Sequence, residues 1–260
     1  MRKNKALLIF SIFVFAFLFV PLLIIVVTAF GEAPTITFPI KGFTFKWFAN
    51  VFKSKAFVDS LILSGKLALY ATLVALLVGI PAAYAISRFS MKGKGLLKSF
   101  FLSPTIVPGV VVGYSIFQFA ILKLHMPVFQ GLLLGHFLVV LPYIIRVVGS
   151  SLEQFDFSIE EAAWSLGCNK VQAFFKVVLP NITSGISAAF MLAFINSFNN
   201  IPVSMFLKGP GISTLPTTLM NYIEYNYDPT VSAVSVLLML ATIVIMFIVE
   251  KTLGIAAFTK

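Results

Sequence analysis

Few side chains in this sequence are equipped for chemistry, and most of those sit in or beside long apolar runs. His136 and Arg146 share one run; Asn196, Ser197, Asn199, Asn200 and Ser204 share another. A histidine in such a run can relay a proton, ligate a metal or bond between helices. His136 has no acid or cysteine near it in sequence, and the last reading fits best. The acids avoid the middle of every run. Glu153, Asp156, Glu160 and Glu161 cluster in one polar stretch, and Glu32, Glu224 and Asp228 fall in others. Asp59 and Glu250 lie near run ends. An ion-coupled carrier usually needs intramembrane acids for its relay, which counts against that class, and an ion-coupled secondary carrier or a channel stays as the alternative of a different class. An enzyme built on His125 or His136 would lack a carboxylate partner. No G-x-x-x-x-G-K-[ST] sequence is present, so nucleotide would have to bind another chain. No H-E-x-x-H or Cys/His cluster points to a metal. The one cysteine, Cys168, has no intrachain partner.

The elements that hold these groups follow from composition. Hydrophobic residues make up 59% of the 260 and charged ones 11%, and mean hydropathy is +1.02. A soluble globular domain is excluded. About 20 apolar residues cross a bilayer core, and six runs qualify: Leu7–Phe30, Phe57–Ser87, Leu97–Leu122, Val128–Val148, Ile182–Leu207 and Val231–Val249. The fold class is an all-α integral membrane protein with six transmembrane helices, and no room remains for a separate soluble domain. The net charge of +10 is distributed as in a membrane protein, not a nucleic-acid binder. Arg2, Lys3, Lys5, Arg88, Lys92, Lys94, Lys98, Arg146, Lys170, Lys176, Lys251 and Lys260 all fall on one side if the N-terminus is cytoplasmic. Lys41, Lys46, Lys53 and Lys55, in the first outer loop, break that pattern, and Lys66 lies inside the second run. The basic N-terminus followed by a long apolar run reads as a retained signal anchor.

Two spans carry polar or irregular features. Pro104, Pro108, Gly109 and Gly113 crowd the third, where freed backbone groups must face protein or water. A pathway-lining helix and a kinked packing helix both fit. Asn196, Asn199 and Asn200 are spaced i, i+3, i+4, which puts them on one face of the fifth helix. That face either lines a polar path or bonds to neighbouring helices. Pro202 interrupts it.

The stretch Ser158 to Pro180 reads as two short helices joined by a turn. Ser158 and Glu161 fit a capping box, Gly167 sits where a helix end takes left-handed geometry, Asn169 with Gln172 restarts the helix, and Pro180 stops it. Glu161-Ala162-Ala163, Gly167, Val177 and Leu179-Pro180 resemble the EAA loop of bacterial ATP-binding-cassette importer permeases, with Val177 where isoleucine is usual. The resemblance extends to Gly42-Phe43-Thr44 with Trp47. It also covers the order of a polar fifth span, Gly209-Pro210-Gly211, Thr214-Leu215-Pro216 and Asp228-Pro229. The last third is similar to the second permease of spermidine/putrescine-type importers, a pattern shared with carriers of phosphonates, iron and other small solutes.

This resemblance implies a type I importer permease fold, one permease domain over 1–260, with cytoplasmic coupling helices between spans 4 and 5, within about 151–180. It implies ATPase coupling by Glu160, Glu161, Ala162, Ala163, Gly167, Leu179 and Pro180. Pro104, Pro108, Asn196, Asn199, Asn200 and Ser204 would line the translocation path. The chain would be a transporter subunit and not an enzyme, without a cofactor of its own, ATP and magnesium being held by the partner. Its partners would be two cytosolic ATPase subunits, a second homologous permease, an extracytoplasmic solute-binding protein and membrane lipid, with no nucleic acid. It would sit in the bacterial inner membrane as a multi-pass protein with both termini cytoplasmic. Polyamine is the first substrate expectation. Asn199 and Asn200 stand where that pattern commonly has acids, so a phosphonate, iron or another small solute stays open.

Overall fold

A computed structural model describes residues 5–253; Arg2, Lys3 and Lys260 lie outside them. The helical segments run in chain order α1 (Lys5–Thr28), α2 (Lys46–Lys53), α3 (Lys55–Arg88), α4 (Lys94–Leu102), α5 (Gly109–Ile116) and α6 (Val128–Glu153). They continue as α7 (Ser158–Ser165), α8 (Lys170–Ala173), α9 (Leu179–Asn181), α10 (Thr183–Phe198), α11 (Leu215–Tyr225) and α12 (Thr230–Leu253). Among the described residues four helices are long and apolar enough to cross a membrane alone, and counting each of two bent pairs as one span brings the number to six. With no water in the bilayer to satisfy backbone groups, helices are the expected solution.

The third and fifth spans depart from the straight helices that the apolar runs imply. The third is Lys94–Thr105 joined to Gly109–Lys123 at 86°. Pro108 lacks a donor, and its φ of −55° with ψ of 131° takes the chain out of helix before α5. The fifth is Lys170–Asn181 joined to Thr183–Phe198 at 72°, and its helix ends at Phe198, not at Leu207. Two helices fall where the sequence offered only loop, α2 and α11.

By contacts the chain forms two compact units, 1–59 with 218–243 and 60–217 with 244–260. In the first, α2 sits on the segment that follows α1. Trp47 is buried and donates its indole N–H to the Gly31 carbonyl at 2.6 Å. Trp47 is therefore internal, whereas Phe38, Phe43, Phe45 and Phe52 are exposed. Gly42 has φ +74°, and a Cβ there would run into the Glu32 side chain. A hydroxyl pair, Thr28 with Ser232 at 3.1 Å, joins α1 to α12. Asp228 caps α12 by accepting the Thr230 N–H at 2.9 Å.

In the second unit α6 packs between α3 and α10 through small and branched residues: Ala75, Ala83, Val140, Ile144, Val148, Ala189 and Ala193. Lipid is as apolar as leucine, so close packing, not water exclusion, holds such helices together. At Gly79 a Cβ would lie 2.7 Å from Ile144 Cγ2, so α3 and α6 meet at the glycine. A second cluster, with Leu67, Ile116, Ala120 and Leu132, closes around Val203 and Leu207 of the segment after α10. That segment is not helical, yet its backbone is satisfied internally. Asn200 Oδ1 accepts from Val203 N–H at 3.0 Å, Met205 N–H donates to Ile201 O, and Leu207 N–H to Ser204 O.

Glycines admit it. A Cβ on Gly113 would lie 2.8 Å from the Val203 carbonyl oxygen and 2.9 Å from its Cα. Backbone cannot step aside as a side-chain tip can, so Gly113→Val should destabilise by at least the about 1–3 kcal/mol of an overpacked core. Its thermal unfolding temperature in detergent should fall well below that of the parent. Gly95→Ala, where nothing lies within 4 Å of the new Cβ, should not lower it.

Candidate functional site

Helix α7 starts differently from its expected capping box. Phe157, not Ser158, occupies the cap position, and the Ser158 N–H is accepted by Asp156 Oδ1 at 2.9 Å. An ionised carboxylate can accept from the orphan donors of a helix start and is also favoured there by the helix dipole. Bonding to Ser158 holds the Asp156 carboxyl below its ordinary value of 3.8. The end of α7 follows the expectation for Gly167. Its φ is +92°, its N–H donates to Trp164 O at 2.9 Å, and Cys168 N–H donates to Ala163 O at 3.0 Å. This pair of bonds is the Schellman arrangement, which needs a left-handed residue at that point. Asn169 and Gln172 form the expected reciprocal capping box at the start of α8.

Beyond α8 the helix widens to π geometry over Phe174–Val178. Pro180 does not stop it outright. It sits in the first turn of α9, and the chain bends at Ile182 instead. Leu179 packs on the main core cluster of its unit.

The loop is fastened to α3 by a charged clamp. Glu160 is 0% exposed. One of its oxygens accepts from Arg88 Nε at 3.0 Å and the other from the Tyr84 hydroxyl. Arg88 Nη2 also reaches Glu161 Oε1 at 2.7 Å. The guanidinium lies over the rings of Phe157 and Trp164, at 5.1 and 5.2 Å, and Lys170 approaches the Trp164 ring at 5.8 Å. Tyr84 contacts Phe174 edge-on, with ring centroids 4.8 Å apart. Arginine suits this place because its fork serves two carboxylates while its face stacks on aromatics. Of the residues singled out in sequence, Glu160 is buried in this clamp and Glu161, 58% exposed, joins it from the surface. Ala162 and Gly167 are exposed, and Ala163 is half-buried. Leu166 is 87% exposed, with Ile159, Val171 and Phe175 also open.

Tyr84, Arg88, Phe157, Trp164 and Phe174 were not singled out in sequence. The i, i+4 spacing of Tyr84 and Arg88 put both on one face at a helix end. Their pairing with acids more than 70 residues away left no local mark.

The polar residues of the fifth span are dispersed by its early end. Asn196 is half-buried on α10, Asn199 terminates the helix and is exposed, and Asn200 turns its amide onto Val203. They do not share one helical face. Ser204 is buried against His136, whose Nε2 is 2.9 Å from its hydroxyl and whose Nδ1 is 2.8 Å from Ser197 Oγ. Ser204 donates its own proton to Asn200 O at 2.7 Å, so Nε2–H must be the donor toward it, and Nδ1 accepts from Ser197. His136 thus bonds between helices, as its surroundings in sequence implied. Pro104 and Pro108 flank the bend of the third span and leave it partly or fully open. Among the described residues no group of three or more His, Cys, Asp or Glu could hold a metal ion.

Replacing Glu160 by Gln should free α7 without unfolding the unit. Water still reaches one side of Arg88, so the loss should be about 2 kcal/mol, less than for a fully buried pair. Amide exchange over Ser158–Cys168 should quicken while the His136 turn keeps its protection. The Asp156 contribution is fully present above its ordinary pKa and is lost as pH falls through the lower folded value. Protection of the Ser158 amide, referred to its intrinsic exchange rate at each pH, should therefore fall in acid in the parent and not change in Asp156→Asn.

The family described as binding-protein-dependent transport system inner membrane component matches residues 75–253. The putrescine transport system permease protein PotI of Escherichia coli strain K12 is 29% identical over 241 residues, covering 90% of this chain and 85% of that one. The spermidine/putrescine transport system permease protein PotC of the same strain is 27% identical, over 89% and 87%. The putative 2-aminoethylphosphonate transport system permease protein PhnV of Salmonella typhimurium is 26% identical, over 93% and 91%. In fold, the chain is similar to a bacterial ABC transporter involved in alginate import, with TM-score 0.72, 16% identity and coverage of 96% and 98%. The methionine ABC transporter MetNI gives TM-score 0.61, 19% identity and coverage of 75% and 92%. The chain belongs to the binding-protein-dependent transport system inner membrane components, and it is a multi-pass permease subunit of an ATP-binding-cassette importer.

Proposed function

We propose that this permease contributes half of a solute path and takes its drive from cytosolic ATPases through α7 and α8. The observation that carries the reading is the division of labour within that loop. Glu160 is buried against Arg88, with the exposed Glu161 on the same guanidinium, while Ala162, Leu166 and Gly167 are turned outward. A short helix clamped at its base and apolar at its tip is built to enter a partner's cleft and pass on a push. Ala162 and Ala163 allow close approach, and the Gly167 turn presents Leu166. Leu179 and Pro180 tie the far end to the bend into α10. ATP and magnesium belong to the partner ATPases, two copies of which would serve this chain and a second, homologous permease.

The chain acts as one permease domain over 1–260, in the bacterial inner membrane, with both termini and the α7–α8 loop in the cytoplasm. An extracytoplasmic binding protein would deliver solute to the opposite end. Pro104, Pro108, Asn196 and Asn199 border the path; Asn200 and Ser204 support the turn beside it. The names of the PotI and PotC relatives support a polyamine as solute. Asn199 and Asn200, in place of acids, and the PhnV relative keep an aminophosphonate as the second choice.

Gly167→Leu meets no neighbour within 4 Å, so its cost is the left-handed φ and the altered docking surface. ATP-driven uptake should fall at least tenfold with the protein still in the membrane. Leu166→Asp should do the same without touching the turn. Undiminished uptake in both would end the coupling assignment. Mass spectrometry of co-purified subunits should find an ATPase, a second permease and a binding protein, and that protein's ligand identifies the solute.

A further inference from the structure

A cleft of about 370 Å³ opens beside the same end of the bundle, between α3, α4 and α6. Arg146, Gly149, Ser150 and Glu153 line it, and their spacing of three, four and seven puts them on one face of α6. Ser87 of α3 and Lys98 of α4 face them, over an apolar floor that includes Ile86 and Leu102.

The charges do not cancel. Glu153 is matched by Lys98 at 3.4 Å, which leaves Arg146 with no hydrogen bond or ion pair among the described residues. Two hydroxyls are also uncommitted. Ser151, Ser165, Ser187 and Ser235 bond back to the carbonyl four residues earlier. Ser87 and Ser150 make no such bond among the described residues, and both line the cleft. One unpaired guanidinium and two free hydroxyl donors form a donor set for a tetrahedral oxyanion, and Gly149, where nothing lies within 4 Å of an added Cβ, leaves it room. The guanidinium fork is the side chain best matched to it.

We propose that this cleft binds a phosphate group, held by Arg146 with Ser87 and Ser150. The apolar floor and the position at the end of the spans favour the phosphate of an anionic phospholipid, with acyl chains along the helices. A soluble phosphate ester is the other source of the same chemistry. The inference is independent of which solute the importer carries.

Native mass spectrometry of the full-length chain, with the subunits that co-purify, tests it after delipidation. Phosphatidylglycerol and, separately, glycerol 3-phosphate are titrated in, with diacylglycerol as the neutral control. Phosphatidylglycerol should bind in preference to diacylglycerol, at least tenfold more weakly in Arg146→Gln, with most of the loss restored in Arg146→Lys. Glycerol 3-phosphate binding with the same Arg146 dependence and no lipid preference would keep the phosphate site and assign its source to a soluble ester. Equal binding of both probes by parent and Arg146→Gln would overturn the proposal. Should that variant fail to fold, Ser87→Ala/Ser150→Ala decides, since an unchanged affinity in it also overturns the proposal.

Discussion

A backbone N–H or carbonyl left unpaired in hydrocarbon costs several kcal/mol, and this requirement organises the second unit. Regular helices meet it without help. The chain departs from them at the bend of the third span, which stays open with Ile106 81% exposed, and after Phe198, where Val203 and Leu207 bury the departure in protein. The segment after Phe198 enters a groove that Gly113 and Gly135 leave open, where a Cβ would strike Val203 in each case. Its donors are taken by Asn200 Oδ1 and by carbonyls of its own turn. His136 completes the enclosure by bonding Ser197 before the segment and Ser204 within it. Irregular backbone at this depth is therefore a fixed part of the core and not a loose loop.

The same accounting separates two arginines at one end of the bundle. Arg88 is fully committed, with two carboxylates in its plane and two rings on its face. It turns a short helix of eight residues, too short to be stable alone, into a rigid extension of α3. Force applied to Leu166 is passed to a helix long enough to cross the membrane. Arg146 is exposed and, among the described residues, has no ion pair or hydrogen bond.

Much of this was legible in the sequence, and the failures share a cause. Apolar run length located the four long helices and the bulk of the two bent pairs because the bilayer imposes it. The Gly167 turn and the Asn169–Gln172 cap were legible because each is set by residues within a few positions of one another. The Ser158–Glu161 box was misplaced by two residues, since sequence spacing does not reveal that Asp156 is the nearer acceptor. The asparagine face was wrong for a different reason. Periodicity assumes that the helix continues, and Asn200 closes a turn on Val203 just where it was taken to continue. The clamp was invisible because its partners lie on separate helices, and only the fold brings Arg88 to Glu160.

Clamp and cleft meet at Ser87 and Arg88, successive residues of α3 that point to different sides. Ser87 faces the cleft under Arg146, and Arg88 faces α7. A rotation of α3 about its axis would therefore move both at once, tightening one set of contacts while opening the other. A phosphate seated on Ser87 and Arg146 would resist that rotation by tying α3 to α6. Any push arriving through Glu160 acts on the same turn of helix. Lipid occupancy and ATPase engagement would then bias one mechanical element from opposite faces, the physical condition under which two sites become coupled.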